Sequence, residues 1–500
     1  MFAVAALSLS EATLTLAGAT LGAPLPRSPR GLVPGALEQP SSRTVRKSVA
    51  PTHDLRPREC TSARKATGFA GTTGAHAAHM EPSVQPNVVV VGTGFAGLEA
   101  AFYLRKRLGK RVKLTVVGQN NEFHFKPNTI YVPFGKPPEA FVFQLRSAFE
   151  RRHIAFTKGR VDGVDPSRKR VLAGDQEIPY DYLFLATGAA MRPEEVPGLK
   201  ENANTIWSPE EMVRLRASLD NVLLRARAGT ASRVRFLVPP QNKCSGPLYE
   251  MVMMLDSWLR KKDARKQVDI AYFTYEKGFI QAFGPRLDAV VTEEFERRGI
   301  AGHKHAVVER VDPGQIRFRD GKSEPFDLLI AFPPYVASTR FERLDADDRG
   351  FLITDPKTRQ VRGQPDIYAV GDAGDFPIKQ AFLALLQADA AAEHLAERIL
   401  GEETSAAFDP VSMCVMEQFD KATFAQVPLR LTGNPELPVA VREDAMDLYR
   451  VGSGAIWRVA KKMLGAAIPM RFTSGQPFHA GASWAVMEAG VGVMSSVFSD

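Results

Sequence analysis

Short apolar runs, each followed by a tight turn and then by a helical repeat, recur along this chain. Val88 to Val91 is continuously apolar, as a parallel strand buried on both faces must be. It leads from Asn87 into Gly92-Thr93-Gly94-Phe95-Ala96-Gly97. The next stretch sets Ala101, Leu104 and Leu108 on one face and Arg105, Lys106 and Arg107 off it, and Lys113 to Val117 is a second strand. The pattern predicts a βαβ unit. A second such pattern starts with a strand over Val234 to Val238 and continues into a helix from about Leu248 to Trp258. Further strands are predicted over Tyr182 to Leu185 and from Ile367, with a long Ala/Leu helix from about Phe382 to Leu400.

After Leu400 the repetition stops. Residues 410–450 read as a small mixed region, and Ala455 to Phe472 as an amphipathic helix limited near its end by Pro469. Its Ile456, Trp457, Met463 and Leu464 interleave with Arg458, Lys461, Lys462 and Arg471, which suits a membrane interface. Trp484 to Phe498 extends the apolar surface. The elements imply an α/β chain with two Rossmann-like dinucleotide-binding domains and a C-terminal membrane-associating segment. Residues 84–200 and 323–400 form the first domain, 201–322 the second, and 401–500 the C-terminal region.

Residues 1–83 do not share this patterning and read as a disordered or mis-assigned extension, with Met80 a natural start. Phe2 to Ala23 is mildly apolar and ends on a small-residue stretch, but no Lys or Arg precedes it, so it is a poor secretory leader. Composition adds little beyond exclusions. With 44% hydrophobic and 24% charged residues the chain is globular, and three cysteines in 500 residues cannot make a disulfide framework. The net charge of +8 invites a nucleic-acid reading, but residues 1–79 hold nine Lys/Arg against four Asp/Glu and so most of the excess. No nucleic-acid partner is expected. No apolar run is long enough for a transmembrane helix.

The glycines of the first turn carry chemistry. Gly92 permits the tight turn, Gly94 lets backbone approach a pyrophosphate, and Gly97 lets helix and strand pack closely. Phosphates then meet unpaired N–H groups at the helix start, near Phe95 and Ala96. The acid expected after the second strand to hold a ribose is replaced by Gly118-Gln119-Asn120-Asn121. In the second unit the turn reads Pro239-Pro240-Gln241-Asn242-Lys243-Cys244-Ser245-Gly246-Pro247. Only Gly246 remains of the phosphate-binding glycines, and the prolines remove donors, so NADH binding in the usual manner is not expected. Cys244, beside Lys243 and near a helix N-terminus, is expected to have a lowered pKa and to act as a nucleophile.

Taken together these motifs resemble flavoprotein reductases with two dinucleotide folds, and more specifically the sulfide:quinone oxidoreductases and their relatives flavocytochrome c sulfide dehydrogenase and type II NADH dehydrogenase. Ala186-Thr187-Gly188 and Gly371-Asp372 match the two segments that return the chain to the flavin, with the Asp372 carboxylate on the ribityl and pyrophosphate region. Lys126-Pro127-Asn128 resembles the family's segment lying against the flavin, and Phe332-Pro333-Pro334-Tyr335 its "Pro-Pro" strand end. The stretch from Cys244 to Glu250 resembles the one holding its catalytic cysteine, and Lys379 the lysine that begins the last flavin-domain helix. The resemblance implies non-covalent FAD, catalytic roles for Cys244 and Lys379, a small-molecule electron donor, a membrane quinone as acceptor, a peripheral place on the cytoplasmic membrane, and room for a homo-oligomer. Two features depart from it. The second cysteine of the sulfide branch has no counterpart around Phe341 to Phe351, and a further one aligns near Trp207. Cys414 falls where the family often has a structural cysteine. His479 is a lone histidine with a structural reading, and neither a metal-binding Cys/His spacing nor a haem attachment motif is present. The activity implied is electron transfer through FAD from a small reductant, sulfide among the candidates, to quinone. The alternatives are a type II NADH:quinone oxidoreductase and a flavin-binding protein without turnover.

Overall fold

A computed structural model describes residues 85–499, so Cys60 and the leader-like segment lie outside the described residues. The first sheet begins with β1 (Asn87–Val91), followed by α1 (Phe95–Leu108), β2 (Lys113–Gly118), β3 (Ala155–Lys158) and β4 (Tyr182–Leu185). The chain then builds a second sheet from β5 (Asn204–Thr205), α2 (Pro209–Arg227), β6 (Ser232–Val238), α3 (Gly246–Lys261), β7 (Val268–Thr274), α4 (Gly284–Arg298), β8 (Ala301–His303) and β9 (Leu328–Ala331). It returns through β10 (Ile367–Ala369) and α5 (Ala381–Leu400).

Both sheets are parallel, in the orders β10-β4-β1-β2-β3 and β5-β9-β6-β7-β8. The order decides where ligands go. β1 has β2 on one side and β4 on the other, so successive connections leave in opposite directions at its carboxyl end and a crevice opens there. β6 stands in the same relation to β7 and β9. The glycine turn 92–97 and the Cys244 turn therefore occupy equivalent points of two similar folds. Val88 to Val91 and Val234 to Val238 are buried along nearly their whole length, which requires helices on both faces. α1 lies against α5 through buried Ala100, Ala101, Ala388, Ala391 and Ala392, small residues that let the two helices approach closely. Ser208 and Glu211 form a capping box that starts α2, with Pro209 as its first residue.

The region expected to be mixed is an antiparallel sheet of β11 (Val411–Glu417), β12 (Ala422–Asn434), β13 (Leu437–Val441) and β14 (Arg450–Gly454), leading into α6 (Ala455–Thr473) and α7 (Ala482–Phe498). α6 continues through Pro469 for one further turn. Its basic, aromatic face is not the lipid-facing surface that its sequence suggested. Trp457 is buried and stacks on Phe424 at 4.0 Å. Lys461 is buried in an ion pair with Glu250, and Arg458 donates to Glu417 at 2.8 Å. The exposed large apolar side chains are instead Val459, Met463 and Met470 on α6, and Val486, Val493, Val497 and Phe498 on α7. Among the described residues, no helix is long and apolar enough to cross a membrane.

Candidate active site

One cavity of about 1260 Å³ runs from the glycine turn, past the Cys244 turn, to α6. Pockets for small ligands usually measure roughly 300–1,000 Å³, so this one has room for more than a single small substrate. Every residue singled out from the sequence for the cofactor faces it except Gly97, which packs behind the turn.

The turn fits a dinucleotide. A Cβ at Gly92 would meet the Ala186 carbonyl oxygen at 2.4 Å and one at Gly97 the Gly92 carbonyl oxygen at 2.2 Å, so both glycines are required by close packing. A Cβ at Gly94 would meet nothing within 4 Å, because that position opens on the cavity. Asp372 also faces the cavity, and no described residue donates a hydrogen bond to it. Burial holds its pKa up against the pull of Lys379 and Lys126. A half-buried carboxylate without a donor beside an open glycine turn suits ribityl hydroxyls. Lys126 sits with its ammonium 3.6 Å from the Trp207 ring centroid, Asn128 abuts Gly465 of α6, and Pro127 lies between them on the wall.

The second turn is closed by its own side chains. Asn242 Nδ2 donates to the carbonyls of Phe332 at 2.7 Å and Pro333 at 3.1 Å, while its Oδ1 accepts the Cys244 N–H at 2.9 Å. Glu276 follows β7, where an acid grips a ribose in NAD-binding folds. Here it is buried and accepts from Thr274 at 2.8 Å, Tyr249 at 3.1 Å, Ser245 at 3.2 Å and the Gln281 N–H at 3.1 Å. The residue that could bind a nicotinamide nucleotide is thus consumed internally, which the glycine count alone did not reveal.

Cys244 faces the cavity as a free thiol. Its expected thiolate character is not found. Burial first, then the Asp372 carboxylate, push the thiol up to about 12, and the Gly246 N–H offsets this only in part. The helix terminus is outweighed by desolvation. Cys414, on β11, faces the same cavity and is also free. Burial pushes it up to about 12 as well, and Cys244 is close enough to add to the shift. The sequence left Cys414 as a structural residue, but the fold opens both thiols on one cavity.

Lys379 is held against the same turn by its backbone N–H, which donates to the Lys243 carbonyl at 3.1 Å. Its buried amine donates to the Gly374 carbonyl, lies 3.8 Å from the Phe351 ring centroid, and is lowered by burial to about 7. It can exchange a proton near neutrality. At the far end, Glu250 of α3 and Lys461 of α6 pair on the cavity wall, and Lys461 also donates to the Val415 carbonyl at 3.2 Å. Burial lowers Lys461 to about 7. The sequence assigned Lys461 to a membrane interface and did not foresee the pair, because it spans 211 positions.

Residues 86–224 match the family described as pyridine nucleotide-disulphide oxidoreductase. The crystal structure of the sulfide:quinone oxidoreductase from Aquifex aeolicus superposes with a TM-score of 0.70 at 20% identity, covering 81% of this chain and 95% of that one. The chain shares the two-dinucleotide fold of that enzyme and is similar to the sulfide:quinone oxidoreductases. The curated sulfide-quinone reductase of Aquifex aeolicus is 24% identical to this chain over 281 residues, 55% of this chain and 63% of the relative. The match therefore spans less than two thirds of that protein. The type II NADH:quinone oxidoreductase of Haemophilus influenzae is 22% identical over 379 residues, 68% of this chain and 85% of the relative.

Proposed function

We propose that this flavoprotein oxidises sulfide at Cys244 and Cys414 and passes two electrons through FAD to a quinone. The observation that carries the reading is that the two free thiols line one cavity and that Cys244 adds to the shift of Cys414. With the pair oxidised to a disulfide, hydrosulfide attacks one sulfur; the S–S bond breaks, leaving a persulfide on that cysteine and a thiolate on the other. The sulfide sulfur loses two electrons and the disulfide gains them. A second sulfide or a small thiol removes the outer sulfur, and the two thiolates re-form the disulfide as two electrons leave. FAD, when bound, supplies the two-electron carrier between that pair and the acceptor. Thiols this weakly acidic need a base, and Lys379, whose backbone is tied to the Lys243 carbonyl of the Cys244 turn, is the candidate. At the other end Glu250 and Lys461 supply the protons that a reduced quinone takes up.

Anaerobic mixing tests this. Sulfide should bleach the flavin within the dead time or seconds, a soluble quinone should restore it, and NADH should act at least a hundredfold more slowly at equal concentration. Lys461→Met should slow the quinone step and leave the sulfide step alone. Saturable bleaching by micromolar NADH, with none by sulfide, would replace this reading with the type II dehydrogenase.

The acceptor end also supports a peripheral membrane site. Val459, Met463 and Met470 with exposed Lys462, and the apolar residues of α7, offer side chains to acyl chains and a cation to lipid phosphates. Sedimentation with anionic vesicles should pull down the full-length protein and not a chain truncated after Val451. Equal recovery of both in the supernatant would refute the membrane contact.

A further inference from the structure

A buried arginine shares a neighbour with Lys379. Arg359 lies in the connection between β9 and β10, is 1% exposed, and has a φ of 62°. That left-handed backbone is uncommon for a residue with a side chain, and it persists only where the surroundings over-determine it. Both backbone groups of Arg359 are tied: its N–H donates to the Asp355 carbonyl at 3.0 Å, and its carbonyl accepts the Ala369 N–H of β10 at 3.0 Å. The guanidinium lies 5.6 Å from the Phe408 ring centroid, and Nη2 donates to Asp375 Oδ1 at 3.3 Å. Nε is buried and finds no hydrogen-bond partner among the described residues.

One long bond is little return for burying a charge, so stability alone does not account for this arginine. Its contact with Gly374, between β10 and α5, does. A Cβ at Gly374 would meet Arg359 Nη2 at 2.8 Å, so the guanidinium rests against that glycine. The Gly374 carbonyl accepts the Lys379 amine. Asp375, the next residue, is held in turn: Oδ1 accepts the Thr354 hydroxyl at 2.7 Å, and its N–H donates to the Leu352 carbonyl at 2.9 Å. A single glycine thus carries Arg359 against its Cα and Lys379 on its carbonyl oxygen.

We propose that Arg359 is a positioning residue for Lys379: it seats Gly374, whose carbonyl holds the Lys379 amine at the cavity wall, and it keeps a permanent positive charge near that amine. The inference rests on the reading of Lys379 as the base that serves the two thiols. The charges acting on the amine come from three segments. Asp372 and Asp375, on the turn after β10, favour its protonated form, while Lys243 of the Cys244 turn and Arg359 oppose it together with burial. Loss of the Arg359 charge therefore raises Lys379 above its value of about 7, and the amine gives up its proton only at higher pH. Nothing in the sequence around Arg359 marks it, because its role comes from a glycine on the far side of β10.

The test uses the flavin-loaded full chain with its lysine amines labelled with nitrogen-15. A pH titration follows the Lys379 signal by magnetic resonance, assigned by its loss in Lys379→Met. The parent signal should titrate near 7. Arg359→Met should raise that midpoint by about one pH unit or more, while Arg359→Lys, which keeps the charge, should leave it within about a third of a unit. Gly374→Ala unseats the guanidinium without removing it, should also raise the midpoint, and serves if Arg359→Met does not retain flavin. Arg362→Met, at an exposed arginine of the same connection paired with Asp345 at 3.3 Å, should change nothing. The pH midpoint of sulfide-driven flavin reduction should move with the amine. A Lys379 midpoint unmoved in Arg359→Met despite a lower melting temperature, or moved as far in Arg359→Lys, would overturn the role. If the amine moves as expected and the sulfide-driven rate does not follow, Arg359 keeps this role and Lys379 is not the base.

Discussion

Cys244→Ser and Cys414→Ser are each expected to keep FAD and to lose sulfide-driven flavin reduction by about a thousandfold or more, because a nucleophile and its partner act as one unit. The two should fail differently. Cys414→Ser retains the thiol in the degenerate dinucleotide turn and can still carry one extra sulfur, visible as a mass increase after exposure to polysulfide. Cys244→Ser should show the complementary adduct on Cys414. The sign of the pH dependence follows from the buried groups. Lys379 is lowered to about 7, so its amine is protonated below that value and free to accept a proton above it. Sulfide-driven reduction should therefore rise as pH passes through about 7. A parent-like rate in Cys414→Ser would return that residue to a structural role and remove the carrying observation.

The same pair shows which part of the site was legible in the sequence. Cys244 stood out because its turn is local: strand, prolines, one surviving glycine and helix follow one another within a few residues. Cys414 was read as the family's structural cysteine, because the second reactive one was sought around Phe341 to Phe351, where there is none. β11 reaches the cavity through tertiary packing of the antiparallel sheet, which no spacing encodes. The thiolate expectation failed for a related reason. A neighbouring lysine and a helix terminus are visible in sequence, but the burial that outweighs them is not.

Periodicity met the same limit in α6. Alternating cations and aromatics describe a membrane-surface helix and a helix buried on a polar network equally well. What separates the two is a set of partners from elsewhere: Glu250 for Lys461, Glu417 for Arg458 and Phe424 for Trp457. The parallel sheets were legible because Val-rich runs between turns permit few other arrangements. The switch-point crevices follow from strand order, and strand order follows from the βαβ repeat.

Gly94→Val is expected to give a folded, colourless protein. Gly94 has φ −83° and ψ −169°, an extended conformation that valine adopts without strain. Its added side chain would meet no protein atom within 4 Å and would project into the space where a pyrophosphate must approach the backbone. Flavin content should fall below about a tenth of the parent's, with secondary structure and melting temperature matching those of flavin-free parent. Gly97→Ala separates this effect from a folding defect. Its methyl would lie 2.2 Å from the Gly92 carbonyl oxygen, so the turn itself must move and the melting temperature should drop below that of flavin-free parent. Full flavin in purified Gly94→Val would mean that the pyrophosphate does not lie on this turn, and the assignment of the first crevice to FAD would fail with it.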